Sequence, residues 1–105
     1  MTQFDVFLNP VSRARRSFPL VVVVQSDLAR TGTDRMVAPL ALMTTQLSGG
    51  GNKLLPRVSV AGSDHLIFVP NMTTIREAEL REHRGQLGAY RSQIMAAIDY
   101  LFFGV

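Results

Sequence analysis

Two histidines are the residues of this chain best suited to acid–base chemistry, because imidazole can accept and donate a proton near neutral pH. His65 follows Asp64, and His83 follows Glu82. Adjacent residues of a strand point to opposite faces of the sheet, so Asp64 is poorly placed to orient the His65 ring. A catalytic pair therefore needs a partner from a distant position, such as an arginine beside His83. We expect both histidines to be surface or hairpin residues without a catalytic role.

Two further motifs indicate anion binding only weakly. The run Gly49-Gly50-Gly51-Asn52-Lys53 resembles a phosphate loop but lacks the G-x-x-x-x-G-K-[ST] spacing, which favours a flexible loop instead. Arg13, Arg15 and Arg16 lie in a predicted turn, and their guanidinium groups suit either a docking patch for phosphates and carboxylates or a solvated loop. The chain has no cysteine, and its histidines and acids show no ligand spacing, so we expect no metal site and no cofactor.

Composition favours one small domain that spans residues 1–105. Hydrophobic residues make up 47% of the 105-residue chain and charged residues 18%, which argues against disorder of the whole chain. The longest apolar run, at 18–24, is far shorter than the ~20 residues of a membrane-spanning helix, and no signal peptide is visible. We therefore expect a cytoplasmic protein without membrane contact. The ten arginines and Lys53 exceed the eight acids to give a net charge of +3, which could attract an acidic protein partner or nucleic acid. Because the charge is modest and the arginines are spread along the chain, an ordinary arginine-rich surface is the favoured interpretation.

Hydrophobic periodicity predicts several strands followed by one helix. Four or five antiparallel strands are expected before residue 75. Alternation or valine-rich runs place them at 2–8, 18–25, 35–40, 54–60 and 65–69, the last two forming a hairpin and Pro39 lying at a strand end or sheet edge. Residues 72–84 fit a strand or a helix equally well. From Leu87 onward, apolar residues recur every three or four positions, which predicts an amphipathic helix to about Phe102. Strands followed by one terminal helix make the predicted fold class α+β.

The chain terminus has an unusual composition for a free end. In a helix that packs Leu101 inward, Phe103 lies about 200° further round, on the side away from the core. Exposed aromatic side chains at a terminus lower solubility unless something covers them. Either these rings tuck into the domain or a dimer interface, or they form an apolar plug for a partner.

Four segments stand in a characteristic order along the chain: the first strand with Phe4, VQSDLARTGTDRMVAPL at 24–40, NMTT at 71–74 and IDYLFFGV at 98–105. Taken together, they resemble the CcdB family, the toxins of bacterial toxin–antitoxin modules. The resemblance implies a main antiparallel sheet of about five strands, a small second sheet and a C-terminal helix, in an SH3-like barrel related to the MazF-type toxins. It also implies a homodimer.

The family resemblance further implies a function without catalysis. CcdB toxins bind the A subunit of DNA gyrase and trap its cleaved-DNA complex, and a CcdA-like antitoxin neutralises them through a disordered C-terminal segment. DNA is contacted only indirectly, through the toxin–antitoxin complex, which represses its own transcription. The gyrase-binding positions correspond to Phe103, Gly104 and Val105, with Asp99 and Leu28 as helpers. The best-known members have Trp at Phe103, Asn at Asp99, and Ile at Ala29 and Val105.

Two alternatives to gyrase poisoning stay open from the sequence. The first is a ribonuclease toxin of the same fold, with Arg35 and either His83 or a carboxylate as its catalytic groups. The second is a non-toxic homologue that only binds the antitoxin.

Overall fold

The computed structural model describes residues 1–29, 32–44 and 52–104. These ranges contain seven strands and one α-helix: β1 Asp5–Leu8, β2 Leu20–Val23, β3 Asp34–Leu42, β4 Arg57–Val60, β5 Ser63–Ile67, β6 Thr73–Arg76, β7 His83–Gln86 and α1 Arg91–Phe103. The strands form one curled antiparallel sheet in the order β4-β5-β3-β2-β1-β7, with β6 paired to β3. The α+β class with an SH3-like sheet and a terminal helix is therefore confirmed. The expected small second sheet is instead continuous with the main one.

The concave face of the sheet and α1 enclose the larger of two apolar clusters. Alternate residues of β1 and β2, such as Val6 and Val22, meet Ile94 and Ala97 of the helix there. On the opposite face, Val21 and Val23 pack with Phe7, Val37 and Leu80. The valine-rich strand is thus covered on both faces, as its lack of a polar face predicted.

Pro39 lies inside a strand, so its expected place at an edge or strand end is wrong. It occupies the middle of the nine-residue β3 and pairs with Val21 of β2. The backbone N–H of Phe68 donates to the Pro39 carbonyl at 2.8 Å, which shows that the backbone polar groups of Pro39 face away from β2. On that side β3 pairs with β6 as far as Val37 and with β5 from Leu40 onward. A residue without an N–H is tolerated at this junction because neither the ladder to β6 nor the ladder to β5 includes residue 39.

The predicted hairpin between β4 and β5 is confirmed. Ala61 and Gly62 form its turn, with φ of 51° and 83°, and Val60 pairs with Ser63 across it. A two-residue turn with positive φ at both positions matches the twist of the flanking strands.

The ambiguous segment 72–84 alternates between extended and helical structure. It contains β6, a single 3₁₀ turn at Glu77–Glu79 and the start of β7. The helix begins at Arg91, four residues later than predicted, because a 3₁₀ turn at Gly88–Tyr90 precedes it. In the described ranges, no helix has both the length and the apolar character needed to span a bilayer.

Candidate partner-binding site at the helix end

Helix α1 is anchored at its middle and exposed at its end. Ile94 and Ala97 are completely buried against the sheet. Beyond Ile98 the core ends, and exposure rises to 36% at Leu101, 65% at Phe102 and 75% at Phe103. The prediction that Phe103 faces away from the core is confirmed. Leu101, which was expected to pack inward, is covered only in part but is less exposed than the two phenylalanines that follow it.

The last turn of α1 is terminated by Gly104. This glycine has φ of 73°, and its N–H donates to the carbonyl of Tyr100 at 2.9 Å. A left-handed residue at this position satisfies a free helix carbonyl, and glycine adopts it without steric cost. The cap ends the helix directly after Phe103 and therefore fixes where its ring projects.

The exposed tip combines two aromatic rings with a carboxylate. The ring centroids of Phe102 and Phe103 lie 6.5 Å apart with an interplanar angle of 55°. Asp99 is exposed and precedes Phe103 by four residues, so the two side chains are neighbours on the helix surface. Such a surface can stack on an arginine or on another ring of a partner. Val105 lies outside the described residues.

Leu28 is not brought together with the tip by the described contacts. Its side chain is 98% exposed on a turn closed by hydrogen bonds from the Leu28 and Ala29 N–H groups to Ser26. The turn is tied to the N-terminal segment, since the Gln3 N–H donates to Oδ1 of Asp27 at 2.9 Å.

The segment that holds the Leu28 turn contacts the beginning of α1. Arg91 Nη1 donates to Oε1 of Gln3 at 3.1 Å. Phe103 follows Arg91 by twelve residues, which is about 18 Å along a helix. The described contacts therefore connect Leu28 to the opposite end of the helix from Phe103.

The two residues of the ribonuclease alternative lie apart on the sheet. The Arg35 guanidinium is buried, with Nη2 2.6 Å from Oε2 of Glu77. His83 lies on β7, and its ring packs edge-on against Phe7 with centroids 5.5 Å apart. Between β3 and β7 stand β2 and β1, a separation of roughly 14 Å across the sheet at ~4.8 Å per strand. No contact joins the two side chains among the described residues.

His83 has a carboxylate partner that sequence spacing did not reveal. Its Nε2 lies 3.3 Å from Oδ1 of Asp5, which is largely buried on β1. Burial alone raises the pKa of Asp5, but hydrogen bonds from the Thr2 N–H, His83 and Gln86 outweigh it and leave that pKa below its ordinary value. This side-chain contact joins β7 to β1 in addition to the backbone ladder between them.

The other candidate residues of the sequence are His65, the arginine cluster and the glycine run. His65 lies in the β4–β5 hairpin as expected but is buried, with Nδ1 2.9 Å from the Ser63 carbonyl. The Arg13, Arg15 and Arg16 side chains are exposed around a 3₁₀ turn, and Nε of Arg15 donates to the Asn9 carbonyl. Residues 49–51 of the glycine run lie outside the described residues.

Sequence reasoning missed a groove between α1 and the segment that enters β4. It has a volume of about 540 Å³ and is lined by Asn52, Lys53, Leu55, Pro56, Arg57, Gln93, Ala96 and Tyr100. Nζ of Lys53 lies 5.2 Å from the centroid of the Tyr100 ring, a cation–π contact. The two sides of the groove are some forty residues apart in sequence, so no local spacing could have indicated it.

Comparison with known proteins supports the family that the resemblance indicated. None of the curated proteins compared with the chain matches it significantly. A model of the CcdB protein family matches residues 3–104, almost the whole chain. The chain therefore belongs to the CcdB family, whose members are toxins of toxin–antitoxin modules.

Proposed function

We propose that this toxin binds the A subunit of DNA gyrase through the exposed end of α1 and traps the enzyme's cleaved-DNA complex. The observation that supports the proposal is the 75% exposure of Phe103 on a helix that is anchored by the fully buried Ile94 and Ala97. A large ring held in solvent by a rigid, capped helix contributes nothing to the core of its own chain. It is, however, already ordered for a partner, which lowers the entropic cost of binding.

Each residue of the proposed contact has a physical role. The Phe103 ring stacks on a cationic or aromatic side chain of gyrase. Gly104, without a side chain, lets the partner's backbone approach closely. Val105 adds a small apolar contact, and the exposed Asp99 accepts a hydrogen bond from the partner one turn before Phe103. Leu28 offers a separate apolar contact on its turn.

We further propose that the protein acts as a homodimer. The apolar surface of Leu101 and Phe102 is adjacent to Phe103 and costs solubility in a monomer. A two-fold axis beside this surface buries part of it and presents two copies of Phe103 together. Two symmetric tips match a two-fold symmetric target.

Action by binding rather than catalysis is part of the proposal. Arg35, which the ribonuclease alternative requires, is buried, and its Nη2 lies 2.6 Å from Oε2 of Glu77, whose side chain is 35% exposed. Contact between that guanidinium and RNA would break this ion pair, which costs free energy.

The test removes Phe103, Gly104 and Val105 together. The truncated toxin and the full chain are compared for thermal unfolding, for binding to the purified A subunit of gyrase, and for growth inhibition after induction. Growth is scored in cells with wild-type gyrase and in cells with toxin-resistant gyrase. We expect unchanged folding, lost gyrase binding and lost toxicity. The full chain is expected to inhibit only the cells with wild-type gyrase.

Other outcomes identify the alternatives. A full chain that binds antitoxin tightly but has no affinity for gyrase is a non-toxic homologue. Cleavage of purified RNA that disappears in His83→Ala indicates a ribonuclease. Unfolding on truncation shows that the tip is structural and overturns the proposed contact.

A further inference from the structure

Two segments that are distant in sequence carry the whole net charge of the protein. Residues 9–17 and 76–86 contain six arginines and three glutamates, whereas the rest of the chain contains five basic and five acidic residues. The fold brings the two segments together, since the Leu8 N–H donates to the Glu82 carbonyl at 2.9 Å and a depression of about 260 Å³ is lined from both sides. All six arginines are exposed, and together they are called the arginine surface: Arg13, Arg15, Arg16, Arg76, Arg81 and Arg84.

The two guanidinium groups that line the depression are held in place by the backbone. Nε of Arg15 donates to the Asn9 carbonyl at 2.5 Å, and Nε of Arg81 donates to the Ala78 carbonyl at 2.9 Å. Within residues 1–29, 32–44 and 52–104, the Nη groups of both arginines form no hydrogen bond and no ion pair. A guanidinium donates in a fixed planar fork that matches two oxygens of a phosphate. Both groups are therefore oriented for an anion, with their Nη donors unused.

The three glutamates of the two segments contact other arginines. Glu79 lies 3.9 Å from Nε of Arg76, and Glu82 lies 3.3 Å from Nη2 of Arg84. Glu77 is the partner of the buried Arg35.

Four arginines of the surface consequently have no carboxylate partner among the described residues: Arg13, Arg15, Arg16 and Arg81. An approaching anion meets these four cations without having to displace a carboxylate from any of them.

We propose that the arginine surface binds the phosphate backbone of duplex DNA. Each guanidinium neutralises a phosphate and releases the counterions condensed on it, which favours binding without regard to base sequence. The contact is separate from the end of α1, because Leu80, directly before Arg81, packs on the face of the sheet opposite the helix. The proposal goes beyond the gyrase contact and does not depend on it.

A duplex fits this surface better than a single strand or an acidic protein. Single-stranded nucleic acids are bound largely by stacking of bases on aromatic rings, and residues 9–17 and 76–86 contain no phenylalanine, tyrosine or tryptophan. Protein interfaces depend on large apolar or aromatic anchors, whereas Val11 is the only large hydrophobic residue exposed in these two segments. Many cations with few apolar contacts are typical of phosphate-backbone binding.

The test uses the full chain and a fluorescently labelled DNA duplex of about 20 base pairs, which spans roughly two turns of the double helix. Anisotropy measures binding at several salt concentrations for the wild type and for Arg15→Gln combined with Arg81→Gln. Lys53→Gln combined with Arg57→Gln is the matched control, since it removes the same charge from exposed positions outside the arginine surface. We expect the variant at 15 and 81 to bind about tenfold or more weakly than the wild type, and the control less than about threefold.

The salt dependence of binding gives a second readout. If the four unpaired arginines each contact one phosphate, the logarithm of the binding constant falls with the logarithm of salt concentration at a slope of roughly −3.6. Removing two of these contacts should reduce the slope to roughly −1.8, while the control keeps the slope of the wild type.

A further variant separates binding from folding. Arg13→Gln combined with Arg16→Gln should weaken binding in the same way, and neither side chain forms a hydrogen bond within the described ranges. Urea unfolding checks that each variant keeps the stability of the wild type. If the variant at 15 and 81 loses stability through its backbone contacts, the variant at 13 and 16 decides the result.

Three results would overturn the proposal. The first is a wild type that does not bind the duplex at about 50 mM salt, where electrostatic binding is strong. The second is a control that loses as much affinity as the arginine variants. The third is tighter binding of single-stranded RNA of the same length, or displacement of the duplex by polyglutamate at an equal concentration of charge, which would indicate RNA or an acidic protein. Gyrase binding by the variant at 15 and 81 should persist, so this proposal and the proposed function fail separately.

Discussion

Ile94 and Phe103 lie nine residues apart on one helix and have opposite environments. The Ile94 side chain is fully buried against the sheet, whereas 75% of Phe103 is exposed. The helix therefore has a part that stabilises the fold and a part that is free to bind. Substitutions can separate the two contributions.

Phe103→Ala is expected to leave the fold intact and to weaken gyrase binding strongly. An exposed side chain outside the core changes the free energy of unfolding by less than about 0.5 kcal/mol when truncated. An aromatic residue at the centre of an interface contributes ~2 kcal/mol or more, which corresponds to roughly thirtyfold in affinity. Urea unfolding and titration with the purified A subunit of gyrase measure the two quantities.

Ile94→Ala is the matched variant within α1. Removing a completely buried isoleucine costs about 2–5 kcal/mol of unfolding free energy. If Phe103→Ala destabilises the protein as much as Ile94→Ala does, then the tip packs in solution and the proposed binding role is wrong.

Phe103→Trp is expected to tighten binding to gyrase. Indole has a larger aromatic face than phenyl and gives a stronger cation–π contact. The position is exposed in the chain, so the larger ring meets no steric barrier from its own core. A Kd for the A subunit of gyrase that falls about threefold or more supports the stacking role, since a single aromatic contact is worth ~0.5–1 kcal/mol. A Kd that rises indicates a pocket shaped for phenylalanine.

Local patterns predicted the elements that depend on local chemistry. The run of valines in β2 predicted a strand covered on both faces, and the spacing of apolar residues by three and four positions predicted α1. Pro39 was misplaced because the change of neighbour along β3, from β6 to β5, depends on pairing between distant segments. The burial of Arg35 escaped prediction for the same reason, since its partner Glu77 follows forty-two residues later.

The candidate site was predicted only in part. Helical geometry predicted that Phe103 is exposed. The family resemblance indicated the other positions of the candidate gyrase contact, which are Asp99, Gly104, Val105 and Leu28. The groove could not be predicted, because Lys53 and Tyr100 come together only when α1 packs beside the entry to β4.

Gly62→Ala is expected to destabilise the β4–β5 hairpin by about 1 kcal/mol. Gly62 has φ of 83°, and a side chain added there meets no atom within 4 Å, so the cost is backbone strain alone. Thermal unfolding measures the effect, and Gly62→Asn is the control because asparagine tolerates this conformation better than alanine. Equal losses in the two variants would show that the left-handed conformation is not the cause.

Glu77→Gln is expected to reduce stability by roughly 1–3 kcal/mol. The Arg35 side chain is 6% exposed, so removing the opposite charge leaves a buried guanidinium without compensation, while the amide retains one hydrogen bond. Asp64→Asn breaks the exposed pair with Arg57 and should cost less than about 1 kcal/mol. Urea unfolding of both variants at the same pH compares them, and similar losses would contradict a special role for burial.

Asp5→Asn is expected to reduce stability at neutral pH and to flatten the acid limb of the stability curve. Burial raises the pKa of Asp5, but the Thr2 N–H at 2.8 Å, Gln86 at 3.1 Å and His83 at 3.3 Å favour the carboxylate and lower the pKa overall, below 3.8. Between the folded and unfolded values, the unfolded chain binds more protons, so stability rises with pH there. The contribution of Asp5 is therefore complete above about pH 5, roughly one unit above the unfolded value, and is lost as the pH falls through the folded pKa.

Unfolding free energies measured from pH 7 to pH 2 test this prediction. The wild type should lose stability more steeply than Asp5→Asn below about pH 5, and the two curves should converge in acid, where Asp5 is protonated in both folded and unfolded chains. Asp99→Asn is the control, because its exposed carboxylate lies on the last turns of α1, away from β1 and β7. Parallel curves for the wild type and Asp5→Asn would show that the hydrogen bonds around Asp5 do not favour its charged form.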